Sequence, residues 1–195
     1  LTDLFEGAED AATIGENWDL AGGTMLVVTN ASHTGSACFQ MLSYRSVHVL
    51  TMRNLFKVQT DTMISFYMKS HISTSNGYLK CQVSTDNGET WKTLGTYNGY
   101  IDPWSLKSFN YAALNAQGIH DGDEGLLRFV ADIENVSGWS TFPYFGFALD
   151  DIAIAGTEIA GYGGWTTLQS NVTTNVYEIA AKPTGTYAYR VQAYA

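Results

Sequence analysis

The sequence predicts an all-β fold: a jelly-roll β-sandwich over residues 1–156, followed by a short β segment over residues 157–195. The 195-residue chain has 13% aromatic but only 15% charged residues, a composition typical of short strands and tight turns. Strand-like runs recur between turn clusters. Helical periodicity is almost absent, and the best helical candidate, residues 111–116, is expected to form a turn over the sandwich edge.

Alternating hydrophobicity marks the individual strands. Residues 63–69 place Ile64, Phe66 and Met68 on one face, which is typical of a strand with one buried and one solvated side. We assign the remaining strands to residues 24–29, 36–42, 47–52, 78–83, 126–132, 145–154 and 186–194.

A change in texture suggests a boundary near residue 157. Glycines cluster at Gly161, Gly163 and Gly164, and the sequence that follows is rich in Thr and Tyr. Because about 30 residues cannot close a sandwich alone, the tail is either part of a second domain or pairs with the first one.

The charge balance narrows the classes of partner. Ten Lys and Arg residues against nineteen Asp and Glu residues give a net charge of −9, which argues against nucleic acid as a ligand. The balance is compatible with divalent cations or neutral glycans. It is equally compatible with a role in solubility alone. No apolar run reaches the roughly 18 residues that a membrane span requires.

The two cysteines, Cys38 and Cys81, lie in separate strand-like runs. They form either one disulfide or two buried free thiols, and the sequence leaves both alternatives open.

Signatures of catalysis are missing from the sequence. The four histidines form no HExxH pair, and no G-x-S-x-G elbow is present. We therefore expect no enzyme. A hydrolase that uses a carboxylate pair is the catalytic alternative, and it requires two carboxylates facing one cleft.

The run STDNGETW, residues 84–91, matches the Asp-box pattern of hairpin turns. Asp86 is expected to accept backbone N–H groups across the loop, Gly88 to supply a positive φ, and Trp91 to pack beneath. A sialidase would need a whole propeller, so we interpret the motif as structural.

Paired carboxylates interrupt an apolar strand at Asp150 and Asp151. Strict alternation cannot point both outward, so one should face inward or lie at a bulge. First and last strands of a jelly roll commonly lie side by side, which would bring Glu6 close to the pair. Glu6, Asp150 and Asp151 are therefore candidate ligands of a Ca²⁺ ion. Capped or solvated carboxylates are the alternative.

Aromatic residues cluster in loop-like stretches, at Tyr97, Tyr100, Trp104 and Trp139. Exposed aromatic rings stack on sugars, and the jelly roll is a common lectin scaffold. These four residues are candidate ligand-binding residues. For Trp104 and Trp139, a role as core lids under long loops is the alternative.

An ordered set of short motifs resembles a known family. The set consists of Phe5-Glu6-Gly7, Trp18, His33-Thr34-Gly35-Ser36, Ile64-Ser65-Phe66-Tyr67, residues 83–91, Leu127-Arg128-Phe129 and Leu149-Asp150-Asp151-Ile152. Over residues 4–156 it resembles the MAM-like jelly-roll domains attached to secreted bacterial peptidases of the immune inhibitor A type. It is also similar to the cleaved-adhesin domains of gingipain-type proteases. Residues 165–195 look like the second half of a fibronectin type III domain.

This resemblance implies a non-catalytic accessory or adhesion module of a secreted or cell-surface bacterial protein, in which calcium often ties the terminal strands together. Its partners would be other domains of the parent protein, which the resemblance implies is a peptidase, or an extracellular protein or glycan. The alternative function is a carbohydrate-binding module that stacks glycans on exposed aromatic residues.

Overall fold

The computed structural model describes residues 3–22, 25–29, 31–42, 46–134 and 146–160. The chain divides into two units, Leu1–Ala160 and Gly161–Ala195. Residues 165–195, for which the sequence predicts a fibronectin type III-like segment, lie outside the described residues. No helix within the described ranges is long and apolar enough to cross a membrane.

The first unit is a sandwich of two antiparallel sheets, which confirms the predicted all-β fold class. The first sheet has the strand order β10-β7-β12-β4-β3, with β1 paired to β12. Its strands are β1 (Leu4–Glu6), β3 (Met25–Val28), β4 (Cys38–Leu42), β7 (Met63–His71), β10 (Ile101–Asn110) and β12 (Gly146–Ala155).

The second sheet is built around the long strand β11, which pairs with β5, β6 and β8. Strand β2 extends the sheet beyond β5, β9 extends it beyond β8, and β13 pairs with β6. Its strands are β2 (Trp18–Gly22), β5 (Ser46–Met52), β6 (Leu55–Lys57), β8 (Gly77–Ser84), β9 (Lys92–Tyr97), β11 (Glu124–Ile133) and β13 (Glu158–Ala160).

Two short helices accompany the strands. Helix α1 (Ala11–Asn17) is capped by the side chain of Asp10, which accepts the N–H of Ala12. Helix α2 (Tyr111–Ala116) is capped by Asn110, which accepts the N–H of Ala113. The prediction of a mere turn at residues 111–116 is therefore wrong. An Asn cap at the end of β10 and the burial of Leu114 are enough to close helical turns there.

Aromatic side chains from both sheets form the centre of the core. Phe66 meets Phe129 edge to face with ring centroids 4.8 Å apart, and Trp18 packs on Phe39 and Phe129 at 6.3 and 6.4 Å. Each of these side chains is almost completely buried, and burying one such ring stabilises the fold by about 1.5–3 kcal/mol. The alternation predicted for β7 holds, since Ile64, Phe66 and Met68 all face this core.

Both cysteines are buried free thiols. Cys38 belongs to the first sheet and Cys81 to the second. Burial raises the pKa of Cys38 to about 12 and that of Cys81 further still. Of the two alternatives left open by the sequence, the structure therefore shows the free thiols, which stay protonated and unreactive at neutral pH.

Candidate functional site

The outer face of the first sheet carries a row of aromatic and charged side chains. Three of the β7 residues that do not face the core project from it: Tyr67, Lys69 and His71. Strand β10 lies beside β7 and contributes Asp102, Trp104 and the half-exposed Leu106, and Tyr100 precedes that strand. We call this surface the aromatic face, defined as His33, Tyr67, Lys69, His71, Tyr100, Asp102, Trp104 and Leu106.

Asp102 organises one end of the aromatic face. Its carboxylate lies 3.0 Å from Lys69 Nζ and 3.2 Å from His71 Nε2, and it accepts a hydrogen bond from Tyr100 Oη at 3.2 Å. The bond from Lys69 is the main reason that the pKa of Asp102 is lowered. The hydrogen bond between Tyr100 and Asp102 raises the pKa of Tyr100, because the ionised carboxylate favours the protonated phenol.

Tyr100 presents a flat ring to solvent at this end. Its ring stacks on the imidazole of His71 with centroids 4.8 Å apart and an interplanar angle of 27°. One face is thus occupied, while the residue remains 69% exposed. An exposed aromatic ring that belongs to a larger aromatic surface is a feature of binding sites.

A second stack forms the other end of the face. The imidazole of His33 lies on the ring of Tyr67 with centroids 3.6 Å apart, and the indole of Trp104 meets His33 edge-on at 6.0 Å. His33 belongs to the loop that precedes β4. The aromatic face therefore depends on how that loop is held.

Asp150 and Asp151 hold this loop at a bulge in β12. The register between β12 and β7 shifts between Asp150 and Ala153, and Asp151 has a φ of +47°. Asp150 Oδ2 accepts the backbone N–H groups of His33 and Thr34. Asp151 Oδ2 lies 2.6 Å from His33 Nδ1, and Asp151 Oδ1 accepts a hydrogen bond from the hydroxyl of Thr34. The bulge turns both carboxylates towards one loop, and desolvation raises the pKa of Asp150.

Glu9 holds the next part of the same loop and was missed by the sequence analysis. Its carboxylate accepts the N–H and the hydroxyl of Ser36 and the N–H of Ala37, at 2.7–2.9 Å. These bonds, led by that of the Ser36 side chain, lower the pKa of Glu9. No local signal in the sequence reveals this role, because Ser36 and Ala37 lie 27 and 28 positions after Glu9.

Glu6 lies in β1, which pairs with β12, as predicted for the strands that carry Glu6 and the Asp150-Asp151 pair. Its register partner is Ile152, and its side chain is only 4% exposed. Oε1 accepts the N–H of Ala8, whereas Oε2 makes no hydrogen bond of ordinary geometry, although the Asn17 and Trp18 side chains are close enough to lower its pKa. Desolvation outweighs these contacts and raises the pKa of Glu6.

The candidate calcium ligands do not form a preassembled cage. Within the described ranges, no group of three or more His, Cys, Asp or Glu side chains has the arrangement of a metal site. The known contacts of Asp150 and Asp151 are to the His33 loop, while those of Glu6 are to Ala8, Asn17 and Trp18.

The four predicted ligand-binding aromatics have different surroundings. Tyr100 and Trp104 belong to the aromatic face. Tyr97 instead packs against the core, edge-on to Phe66 at 6.1 Å, and burial raises its pKa to about 12. Trp139 lies outside the described residues.

A small cleft adjoins the Asp102 end of the face. Its volume is about 120 Å³, and its lining includes Gln40, Lys69, His71 and the small residues Gly146 and Ala148. Pockets that enclose a whole small ligand usually measure about 300–1,000 Å³. The cleft therefore has room for part of a larger ligand that lies across the face.

The Asp-box turn joins β8 to β9 in the second sheet. Asp86 accepts the N–H and the hydroxyl of Thr90, and it also accepts the hydroxyl of Ser84. These bonds lower its pKa to about 2. Gly88 has a φ of +93°, and its carbonyl accepts the indole N–H of Trp91 at 3.0 Å.

Comparison with known proteins places the fold among β-sandwich modules. No protein-family model and no curated protein matches the sequence. The K2 cleaved adhesin domain of Lys-gingipain is similar in structure, with a TM-score of 0.50 and 14% identity over 78% of this chain and 99% of that one. This likeness shows the fold, in line with the sequence resemblance to cleaved-adhesin domains.

Carbohydrate-binding modules are also among the similar structures. The CBM22-1 xylan-binding domain of Paenibacillus barcinonensis Xyn10C has a TM-score of 0.48 and 16% identity, over 77% of this chain and 91% of that one. TmCBM61, solved in complex with beta-1,4-galactotriose, has a TM-score of 0.48 and 13% identity, over 70% of this chain and 86% of that one.

Proposed function

We propose that this chain is a non-catalytic accessory or adhesion module of a larger secreted or cell-surface protein, and that it binds a glycan on the aromatic face. The observation that carries the proposal is the exposed ring of Tyr100, stacked on His71 and bonded to Asp102. The parent protein would be a secreted bacterial peptidase, as the sequence resemblance implies.

The chemistry of the aromatic face suits a sugar. Pyranose rings present C–H groups that pack on aromatic rings, and their hydroxyls pair with charged and planar polar side chains. Tyr100 and Trp104 supply the rings, while Lys69 and Asp102 supply a donor and an acceptor next to them. An acidic chain with few cations is compatible with a neutral glycan.

The length of the face favours an oligosaccharide over a single sugar. The two stacks are based on Tyr67 and His71, which are four positions apart on β7. At the rise of an extended strand this separation is about 13 Å, well beyond the width of one pyranose ring. A ligand that contacts both stacks would lie along β7.

We further propose that a structural calcium ion ties β1 to β12, held by Glu6 together with Asp150 or Asp151. Two features support it: the pairing of the two strands and the buried Glu6 Oε2, which makes no ordinary hydrogen bond. A hard cation suits carboxylate oxygens. It would neutralise the carboxylate charges and link β1 to β12.

A glycan array tests the proposed binding. We expect the chain to retain neutral oligosaccharides and to give no signal with monosaccharides. A chain that binds no glycan on the array but retains an extracellular protein would contradict the glycan proposal and favour a purely adhesive role.

A further inference from the structure

Arg128 lies on the outer face of the second sheet, away from the aromatic face. It stands near the middle of β11, opposite Thr51 of β5 on one side and Gln82 of β8 on the other. The residues of β11 alternate, so that Leu127 and Phe129 face the core while Arg128 faces outward and is partly buried.

Neutral groups hold the guanidinium in place. Arg128 Nε donates to Gln82 Oε1 at 2.9 Å, and Gln82 Nε2 in turn donates to Thr93 Oγ1 at 2.9 Å. The guanidinium carbon lies 3.8 Å from the ring centroid of Trp91. Gln82 is itself only 8% exposed. The stack on Trp91 and the hydrogen bond to Gln82 together orient the guanidinium.

The Asp-box turn orients the indole that supports the arginine. Trp91 is the last residue of the motif, and its N–H is bonded to the carbonyl of Gly88. Asp86 ties Ser84 and Thr90 together within the same turn. The motif thus acts through Trp91 on the position of the Arg128 guanidinium.

Among the described residues, neither terminal nitrogen of Arg128 has a hydrogen-bond or ion-pair partner. Within the described part of the chain, no carboxylate lies within ion-pair distance of the guanidinium, and Nε makes its only hydrogen bond. Arg53, by contrast, is paired with Asp19 at 2.5 Å, and Lys69 with Asp102 at 3.0 Å. The chain has a net charge of −9, yet none of its described carboxylates pairs with Arg128.

Arg128 is partly buried, which makes it more costly to leave its charge without an anion. Desolvation lowers the pKa of its guanidinium, although an arginine side chain stays charged at any ordinary pH. A partly desolvated charge is normally compensated by an anion. The unused Nη1–Nη2 edge is a planar pair of donors that matches a carboxylate in two-point geometry.

We propose that the Nη edge of Arg128 is a second binding site, which takes the carboxylate of an acidic sugar such as a uronic acid. The register neighbours of Arg128 are Thr51 and Gln82, which carry a hydroxyl and an amide, and Thr93, the register neighbour of Gln82, carries a second hydroxyl. Such groups pair with sugar hydroxyls around a single carboxylate. An acidic peptide would instead need several cations together. The site lies on the opposite sheet from the aromatic face, so it does not depend on glycan binding there.

The test is a titration of the whole chain with a galacturonic acid trisaccharide, followed by calorimetry and by NMR of the Trp91 indole and Arg128 Nε signals. We expect saturable shifts of both signals in the wild type. Arg128→Gln should weaken binding at least tenfold, and Arg128→Lys should weaken it less, because an ammonium group cannot make the two-point contact. Arg53→Gln is the matched control and should leave the affinity unchanged.

Three results would overturn the proposal. The first is the absence of saturable shifts with both galacturonic and glucuronic acid oligosaccharides. The second is an unchanged affinity in a folded Arg128→Gln variant. The third is binding of a poly-glutamate peptide as tight as that of the trisaccharide, which would indicate a protein partner. Binding of neutral glycans should be the same in Arg128→Gln as in the wild type, so failure of this site is distinguishable from failure of the aromatic face.

Discussion

His33 stacks on Tyr67 with ring centroids 3.6 Å apart and an interplanar angle of 15°. The imidazole is held in this position because its Nδ1 is hydrogen-bonded, at 2.6 Å, to the carboxylate of Asp151 at the bulge of β12. One end of the aromatic face is therefore assembled by a loop that two aspartates of a distant strand hold in place.

Removal of one of these carboxylate oxygens should destabilise the fold. In Asp151→Asn a single oxygen remains where two accept from His33 and Thr34. We expect the free energy of unfolding to fall by about 1–3 kcal/mol, the usual cost of an unsatisfied buried group. Chemical denaturation measures this change.

Asp19→Asn is the control for that variant. Asp19 forms an exposed ion pair with Arg53, and such pairs contribute about 0–1 kcal/mol. If Asp151→Asn loses no more stability than Asp19→Asn, the loop does not depend on the carboxylate.

Chelation should lower the melting temperature of the chain. A calcium ion at Glu6 and Asp150 or Asp151 would stabilise the folded state by about 2.7 kcal/mol at a hundredfold excess over its Kd. We expect EDTA to lower the melting temperature of the wild type and to have no effect on an Asp150→Asn, Asp151→Asn double variant. An unchanged wild-type melting curve in EDTA would rule out the ion.

The stability difference between the wild type and Glu6→Gln should depend on pH. Desolvation raises the pKa of Glu6 above its ordinary value of 4.5, so the folded chain binds this proton more tightly than the unfolded one. The resulting stabilisation is fully present below pH 4.5 and is lost as the pH rises through the folded pKa. Since Gln cannot titrate, the wild type should gain stability relative to Glu6→Gln as the pH falls from 7 to 4.5.

Denaturation curves recorded in EDTA at several pH values would measure that difference without interference from a cation. A difference that stays flat across this pH range would show that Glu6 titrates normally in the folded chain.

The strands could be predicted from the sequence because their pattern is local. Ile64, Phe66 and Met68 alternate with polar residues, and such alternation specifies a face whatever the rest of the chain does. The pair Asp150-Asp151 likewise signalled a bulge, since two adjacent carboxylates in an apolar strand break the alternation. Helix α2 was missed because its cap, Asn110, is the last residue of a strand.

The candidate site was less predictable because it is made by contacts between distant segments. Tyr97 and Tyr100 are three positions apart, yet the first packs on the core and the second is exposed. The turn between β9 and β10 separates them, and no local pattern reveals it. Glu9 and His33 were missed for the same reason, since each acquires its role from a partner in another segment.

A calorimetric titration tests the glycan site on the aromatic face most directly. The ligand is the neutral oligosaccharide that gives the strongest array signal. Tyr100→Ala and Trp104→Ala should each weaken binding more than tenfold, which is about 1.4 kcal/mol. Tyr78→Ala, on the outer face of the second sheet, should leave the affinity unchanged. Equal affinities in the wild type and in folded Tyr100→Ala and Trp104→Ala variants would contradict a glycan site on the aromatic face.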